Sequence, residues 1–202
     1  MTKALERREK LRVDLIRAAE RMIAERGLGG LKTRDLAREI GCANGAVYNL
    51  VADVDELVLR VGSRTLLRLD EALSAAVHAG NPSPEETLVR IAIAYCDFAA
   101  ENLELWRALF EYRMEANKAL PEWSVDDQLH LFRHIYQPLA ALLPKRSQEE
   151  LSITARSLFS AVHGMVTLGL EQKLVAVPLP ALRKEIAGLV RAMIDGLVAR
   201  EK

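Results

Sequence analysis

The sequence predicts an all-α chain, and three observations carry that expectation. Clear breaks are few, at Gly27 to Gly30, Gly80 to Pro84, Ala119 to Ser124, Pro144 to Ser147 and Val177 to Pro180, and the segments between them lack the period-2 alternation of half-buried strands. Two segments open on helix-start signals. Ser83-Pro84-Glu85-Glu86 puts Ser at the N-cap, Pro at the first helical position and Glu at the third, and Ser147 to Glu150 repeats the capping-box spacing. A hydrophobic fraction of 50% beside 28% charged residues is that of a packed protein, too apolar for disorder. At 202 residues the chain is long enough for a real core and one or two domains.

Taken in order, Leu11, Leu15, Ala18, Ala19, Met22 and Ile23 form the stripe of an amphipathic helix that stops at Gly27, a C-cap candidate. A compact pair follows. Thr33 is placed to cap a helix reaching Ile40, Gly41 supplies a left-handed turn, and a second short helix covers Asn44 to Val51. The first packs through Leu36, Ala37 and Ile40, and small Ala37, Gly45 and Ala46 allow the two to approach. This is a helix-turn-helix arrangement, whose second helix enters the major groove of DNA and where Gly45 also admits close backbone approach. Leu57, Val61, Leu66, Leu69 and Leu73 then recur along one long helix from Asp53 to Ala79. Beyond it, helices are expected near 84–101, 103–117, 124–143, 147–173 and 180–200, with Pro138 kinking the third of these because its ring blocks a backbone hydrogen bond. The expected division is a three-helix DNA-binding domain over 1–55 and a larger helical domain over 56–202, to which the family resemblance given below assigns ligand binding and dimerisation.

Charge narrows the function. The 28 Lys plus Arg balance 28 Asp plus Glu, which excludes a uniformly basic coat. The balance hides a split: residues 1–50 carry 11 basic against 7 acidic residues and 51–202 carry 17 against 21, a basic front of +4 and an acidic back of −4. Lys3, Arg7, Arg8, Lys10 and Arg12 form either a basic arm that follows a groove or a solvated helix start. No run approaches a membrane span and the start is charged, so neither a membrane segment nor a signal peptide is expected, and a cytoplasmic location is. Cys42 and Cys96 lie far apart with no CxxC or Cys/His cluster, the pattern of packing thiols.

The run Leu15 to Ala19, Gly27, Leu31-Lys-Thr-Arg-Asp-Leu-Ala-Arg-Glu-Ile-Gly41, Gly45-Ala-Val-Tyr48 and Asp55-Glu-Leu57 resembles the DNA-binding domain of the TetR family of transcriptional regulators. The resemblance covers about residues 10–60. It implies a homodimer joined through its last two helices, a palindromic double-stranded DNA operator, and a small-molecule effector that releases a repressor. By this resemblance Thr33 and Tyr48 bond phosphates, with Lys32 and Arg34 beside Thr33 at a helix N-terminus. Asn44 and Asn49 are the side chains of the second helix able to pair with a base edge, or they cap and face water. Three positions depart from the family pattern: Ala43 stands for a small hydroxyl residue, Val51 for an aromatic, and Val54, between Asp53 and Asp55, for a lysine. The missing lysine removes a phosphate contact, so weaker and less salt-dependent non-specific binding is expected.

Eight of the ten aromatic residues fall between Tyr95 and Tyr136. Of these, Trp106, Phe110, Trp123, Phe132 and Tyr136 are candidate walls of an effector pocket, with Arg107, Arg113, His130, Arg133 and His163 as candidate polar members. The same rings would serve equally to fill a helical core. The segment Leu158 to Leu170 resembles a C-terminal domain type of some TetR regulators marked by Trp then His-Gly, with Phe159 at the Trp position and His163-Gly164 in place. Apolar runs near 153–170 and 186–198, with Gly164, Gly169 and Gly188, suit either a four-helix dimer bundle or an intrachain core. Two alternatives remain: a helical interaction module without DNA binding, and a metal-binding or enzymatic protein. Asp126, His130 and His134 share a helix face, but at about 1.5 Å per residue the outer two are too far apart for one ion. GxSxG and GxxxxGK[ST] are absent, and no cofactor or catalytic residue is assigned.

Overall fold

The computed structural model describes residues 3–78, 80–114, 118–172 and 176–201. Among them the chain forms nine α-helices and two short 3-10 helices, with no strand. The helices are α1 (Lys3–Arg26), α2 (Thr33–Glu39), α3 (Val54–His78), α4 (Pro84–Glu101), α5 (Leu103–Glu111), α6 (Glu122–Leu131), α7 (Arg133–Leu142), α8 (Gln148–Glu171) and α9 (Leu179–Ala199). They gather into two compact units: residues up to 67 with 102–125, and residues 68–101 with those from 126 onward. Among the described residues no helix is long and apolar enough to cross a membrane.

In the first unit the expected stripe of α1 is the core face: Leu15, Ala18, Ala19, Met22 and Ile23 are all buried. They pack with Leu36 and Ala37 of α2, Val47, Leu50 and Val51, Leu57 and Val61 of α3, and Leu105 and Ala108 of α5. Gly27 and Gly41 end α1 and α2 at φ 67° and 71°, the left-handed conformation that only glycine adopts at little cost. Thr33 does not cap α2. Lys32 holds the N-cap position in an extended conformation, its carbonyl accepting from the Asp35 and Leu36 amides, so Thr33 is the first residue of the helix itself. The second short helix is a six-residue 3-10 element, Asn44–Asn49, ending before Val51. Its tighter winding follows from the shorter reach of its bonds, such as Leu50 N–H to the Val47 carbonyl at 2.9 Å. Nor does Gly45 bring the two helices together. A Cβ built there meets nothing within 4 Å, so the open side of Gly45 faces away from α2.

In the second unit α4 packs against α7, α8 and α9, and α8 against α7 and α9. Leu151, Ala155, Leu158, Val162 and Val166 of α8 and Leu182, Ile186, Val190 and Ile194 of α9 repeat at three to four residues and are buried, the spacing of a single helix face. Both expected caps form. Ser83 Oγ accepts from the Glu86 amide at 3.2 Å, and Ser147 and Glu150 exchange both bonds of a capping box. Two boundaries differ from the expectation. The helix expected over 103–117 ends at Glu111, where Tyr112 turns extended, and its last expected residues, 115–117, lie outside the described residues. The helix expected over 124–143 is divided at Phe132 into α6 and α7. Phe132 starts a new helix, accepting at its carbonyl from the Ile135 and Tyr136 amides, and Pro138 then lies inside α7 and is buried.

Candidate nucleic-acid interface

Short helices bury little, so a helix-turn-helix must hold its reading face through a few apolar anchors. Here these are Leu36 and Ala37 on α2 and Val47 and Leu50 in and after the 3-10 element, all buried. Around these anchors Lys32, Arg34, Asn44, Gly45, Tyr48 and Asn49 are exposed and Thr33 is half-buried, while Ile40 and Cys42 pack partly buried against the core. Tyr48 keeps 51% of its surface, a large aromatic residue left half in water. The structure thus brings the seven sequence-predicted DNA contacts onto the outside of one motif.

Behind that face lies a polar junction the sequence does not reveal. Arg8 of α1 donates from Nε and Nη2 to the Asn49 carbonyl at 3.1 and 2.8 Å. Glu56 accepts from the Ala52 amide at 2.8 Å and from Arg12 at 3.1 Å and Arg60 at 3.3 Å. Burial acts to raise the Glu56 carboxyl, but its hydrogen bonds from the Ala52 amide, Arg12 and Arg60 outweigh that and hold it below the usual range. Two of the five residues of the expected basic arm, Arg8 and Arg12, are therefore engaged inside the head. A groove of about 500 Å³ runs along this junction, lined by Leu5, Arg8, Glu9 and Arg12 on one side and Tyr48 to Ala52 and Glu56 on the other.

The two aspartates flanking Val54 are also matched in space. Lys118 Nζ sits 2.9 Å from Asp53 and 2.6 Å from Asp55, and the Tyr112 hydroxyl donates to Asp55, which is buried. Asp53 caps α3 through the Glu56 amide at 2.8 Å; that bond and then Lys118 hold its carboxyl below the usual range. Burial, reinforced by Asp55, pushes the Tyr112 hydroxyl well above the ordinary tyrosine value. A cation thus reaches this neighbourhood from 63 residues away, where local sequence offered none.

The eight candidate effector residues divide between the units. Trp106, Phe110, Arg113 and Trp123 belong to the first. Trp106 is buried against Phe110 at 5.4 Å, Arg113 is exposed, and Trp123 carries the Arg60 guanidinium 4.0 Å above its ring. His130, Phe132, Tyr136 and His163 belong to the second, where His130 is exposed and Tyr136 half-buried. There Phe159 is the hub. It packs edge-on to Tyr95 at 5.7 Å and Phe132 at 5.5 Å and stacks on His163 at 5.4 Å. The Tyr95 hydroxyl and His163 Nδ1 are hydrogen-bonded at 2.7 Å, with Thr167 Oγ1 3.4 Å from the other ring nitrogen. Burial lowers the His163 pKa and favours the neutral ring. Tyr95 and Phe159 stand outside the set of candidates that the sequence suggests, and only their exclusion from the surface by α4 and α8 groups them.

His134 turns to Asp70 of α3 at 2.8 Å, and Arg133 pairs with the same carboxylate. Among the described residues no group of three or more His, Cys, Asp or Glu is placed to hold a metal ion.

Residues 15–61 match the family model described as bacterial regulatory proteins, tetR family, and residues 88–197 match the tetracyclin repressor-like C-terminal domain. Similar folds are a protein with unknown function from Rhodococcus sp. RHA1 (TM-score 0.73, 24% identity, 92% of this chain and 94% of that one) and RolR in complex with resorcinol (0.70, 18%, 98% and 93%). A third is the TetR family regulator PfmR from Thermus thermophilus (0.56, 17%, 92% and 97%). The second family model alone spans more than half of the chain, and the first falls on its helix-turn-helix: the chain belongs to the TetR family of transcriptional regulators.

Proposed function

We propose that this TetR-family regulator reads a palindromic operator as a homodimer and is released from it by a small-molecule effector. The observation that carries the reading is the outward face of the helix-turn-helix, where Lys32, Thr33, Arg34, Asn44, Tyr48 and Asn49 are accessible while the residues between them anchor the motif. Lys32, Arg34, Thr33 and Tyr48 supply phosphate contacts, and Asn44 and Asn49 the base contacts. Binding of duplexes recovered from a random pool, titrated against salt, tests this. Lys32→Ala weakens binding to all duplexes and lowers the salt slope by about 0.9 for each phosphate left unneutralised, whereas Asn49→Ala erases about 1–3 kcal/mol of discrimination at one base pair. Absence of salt-sensitive binding to any duplex overturns the reading.

Dimerisation through α8 and α9 is supported by what those helices leave uncovered. Ile153, Ser157, Ser160, Gly164 and Leu168 follow one face of α8, and Gly188, Ala192, Gly196 and Ala199 one face of α9; all are exposed except half-buried Gly164. A Cβ at Gly164, Gly188 or Gly196 meets nothing within the subunit, as expected where a partner helix approaches. Ala192→Arg should shift the molecular mass in solution to that of a monomer.

For the effector, Tyr95, His163, Phe132 and Phe159 combine ring faces, ring edges and hydrogen-bonding groups in a mostly apolar setting. That chemistry suits a small hydroxylated aromatic, and the structurally similar RolR is solved with resorcinol. The effector acts by population shift, binding better to a dimer whose reading heads are not about 34–36 Å apart, one turn of duplex. Unchanged or tighter operator binding with the true effector present contradicts this direction. The TetR family is one of regulators and not of enzymes, and no catalytic role is proposed.

A further inference from the structure

Within the six-residue 3-10 element Val47 is the one buried side chain, and Leu50 and Val51, directly after it, are buried in the core of the unit. Besides these apolar seats, its far end is held by polar groups of α1. Arg8 grips the Asn49 carbonyl with two nitrogens, and Arg12, one turn further along the same helix face, holds Glu56, which takes the Ala52 amide. The chain leaving the element is thus fastened at an acceptor on residue 49 and at a donor on residue 52. Tyr48 and Asn49, whose side chains are exposed, lie on or beside the gripped peptide.

We infer that Arg8, supported by Arg12 through Glu56, is a positioning residue that sets the aim of the recognition element, and that it serves DNA reading without itself neutralising a phosphate. The inference rests on the proposed reading face. It differs from the role a basic N-terminal arm would play, because the two nitrogens that would fork onto a phosphate are occupied by a main-chain carbonyl.

Salt titrations of wild type, Arg8→Ala and Arg8→Lys on a duplex selected by the wild type and on a scrambled duplex of equal length separate the two roles, with thermal melts confirming folded protein. A positioning Arg8 predicts about ten-fold weaker binding of the selected duplex by Arg8→Ala, the worth of a hydrogen bond from a charged group. Binding of the scrambled duplex and the salt slope should stay unchanged. Lysine, a point charge without the two-nitrogen fork, should restore little of the discrimination. The inference is overturned if Arg8→Ala weakens both duplexes alike with a slope smaller by about 0.9 per phosphate, if Arg8→Lys behaves as wild type, or if Arg8→Ala changes nothing. Failure of the wild type to retain any duplex removes the reading face itself, a result distinct from each of these.

Discussion

The six residues of the recognition element, Asn44–Asn49, contain a single buried side chain, whereas the 21 residues of α9 bury Leu182, Ile186, Ala187, Val190 and Ile194. The long helix carries its own apolar stripe and is held wherever that stripe is covered. The short one borrows its place from α2, from the start of α3 and from two arginines of α1. A reading surface must leave most of its residues in water, so its rigidity has to come from neighbours. A helix of the second unit meets no such demand.

The comparison can be broken most forcefully at the anchors. Ile186→Ala in α9 and Leu36→Ala in α2 both empty fully buried sites and should each cost about 2–5 kcal/mol in a denaturant titration. They should differ in what fails: duplex binding disappears in the Leu36 variant under conditions where its helical signal persists, and is retained by the folded fraction of the Ile186 variant. Equal loss of DNA binding per folded molecule would deny the head its separate fragility.

Two glycines of α8 sharpen the contrast within the second unit. A Cβ at Gly169 would lie 2.7 Å from the Leu182 side chain, so Gly169→Ala should destabilise by about 1–3 kcal/mol. Gly164 has open space, and Gly164→Ala should stabilise an isolated subunit by about 0.5–1 kcal/mol. Matching shifts in melting temperature would contradict this assignment of one glycine to the intrachain core and the other to an outer face.

Smaller effects separate the helix starts. Ser147→Ala removes a two-bond capping box and should cost about 1 kcal/mol, while Thr33→Ala, where no side-chain cap bond exists, should leave stability nearly unchanged and act on DNA affinity instead.

The least effect is that of pH. Burial lowers the pKa of His163, and of His134 despite the opposing pull of Asp70, below the ordinary value of 6.5. As pH falls through about 6.5 the unfolded chain takes up these protons first, so stability declines until the folded pKa values are reached. His163→Asn should flatten the fall in melting temperature over that window; an unaltered profile would remove His163 from it. Asp53, Glu56 and Asp70 are held below the usual carboxylate range, so their contribution is present at neutral pH and is lost only at more acid pH.

Much of the fold was legible because its causes are local. The stripe of α1, the stop at Gly27, the turn at Gly41 and the caps at Ser83 and Ser147 each follow from residues within one or two turns of each other. The breaks at Glu111 and Phe132 were not legible, since nothing near them in sequence is a strong breaker and Pro138 drew the expectation to itself. The outward placement of Lys32 to Arg34 and Asn44 to Asn49 was readable from the motif, but the clamp behind them was not. Tyr95 and Phe159 escaped the candidate set because a ring pair meeting across separate helices leaves no spacing pattern.

By itself the sequence determined the all-helical class, the helix-turn-helix, the basic front and the identity of the exposed polar side chains. Periodic burial and helix capping act over three to four residues and are written in order along the chain. Tertiary structure alone decided the partnerships of Arg8 with the Asn49 carbonyl, Lys118 with Asp55, and Tyr95 with His163, separated by 41, 63 and 68 positions. Such pairs form because packing of apolar faces brings polar groups from distant parts of the chain side by side, part-buried for Lys118 with Asp55 and Tyr95 with His163 and exposed for Arg8 with Asn49, and composition alone does not specify which partner each finds.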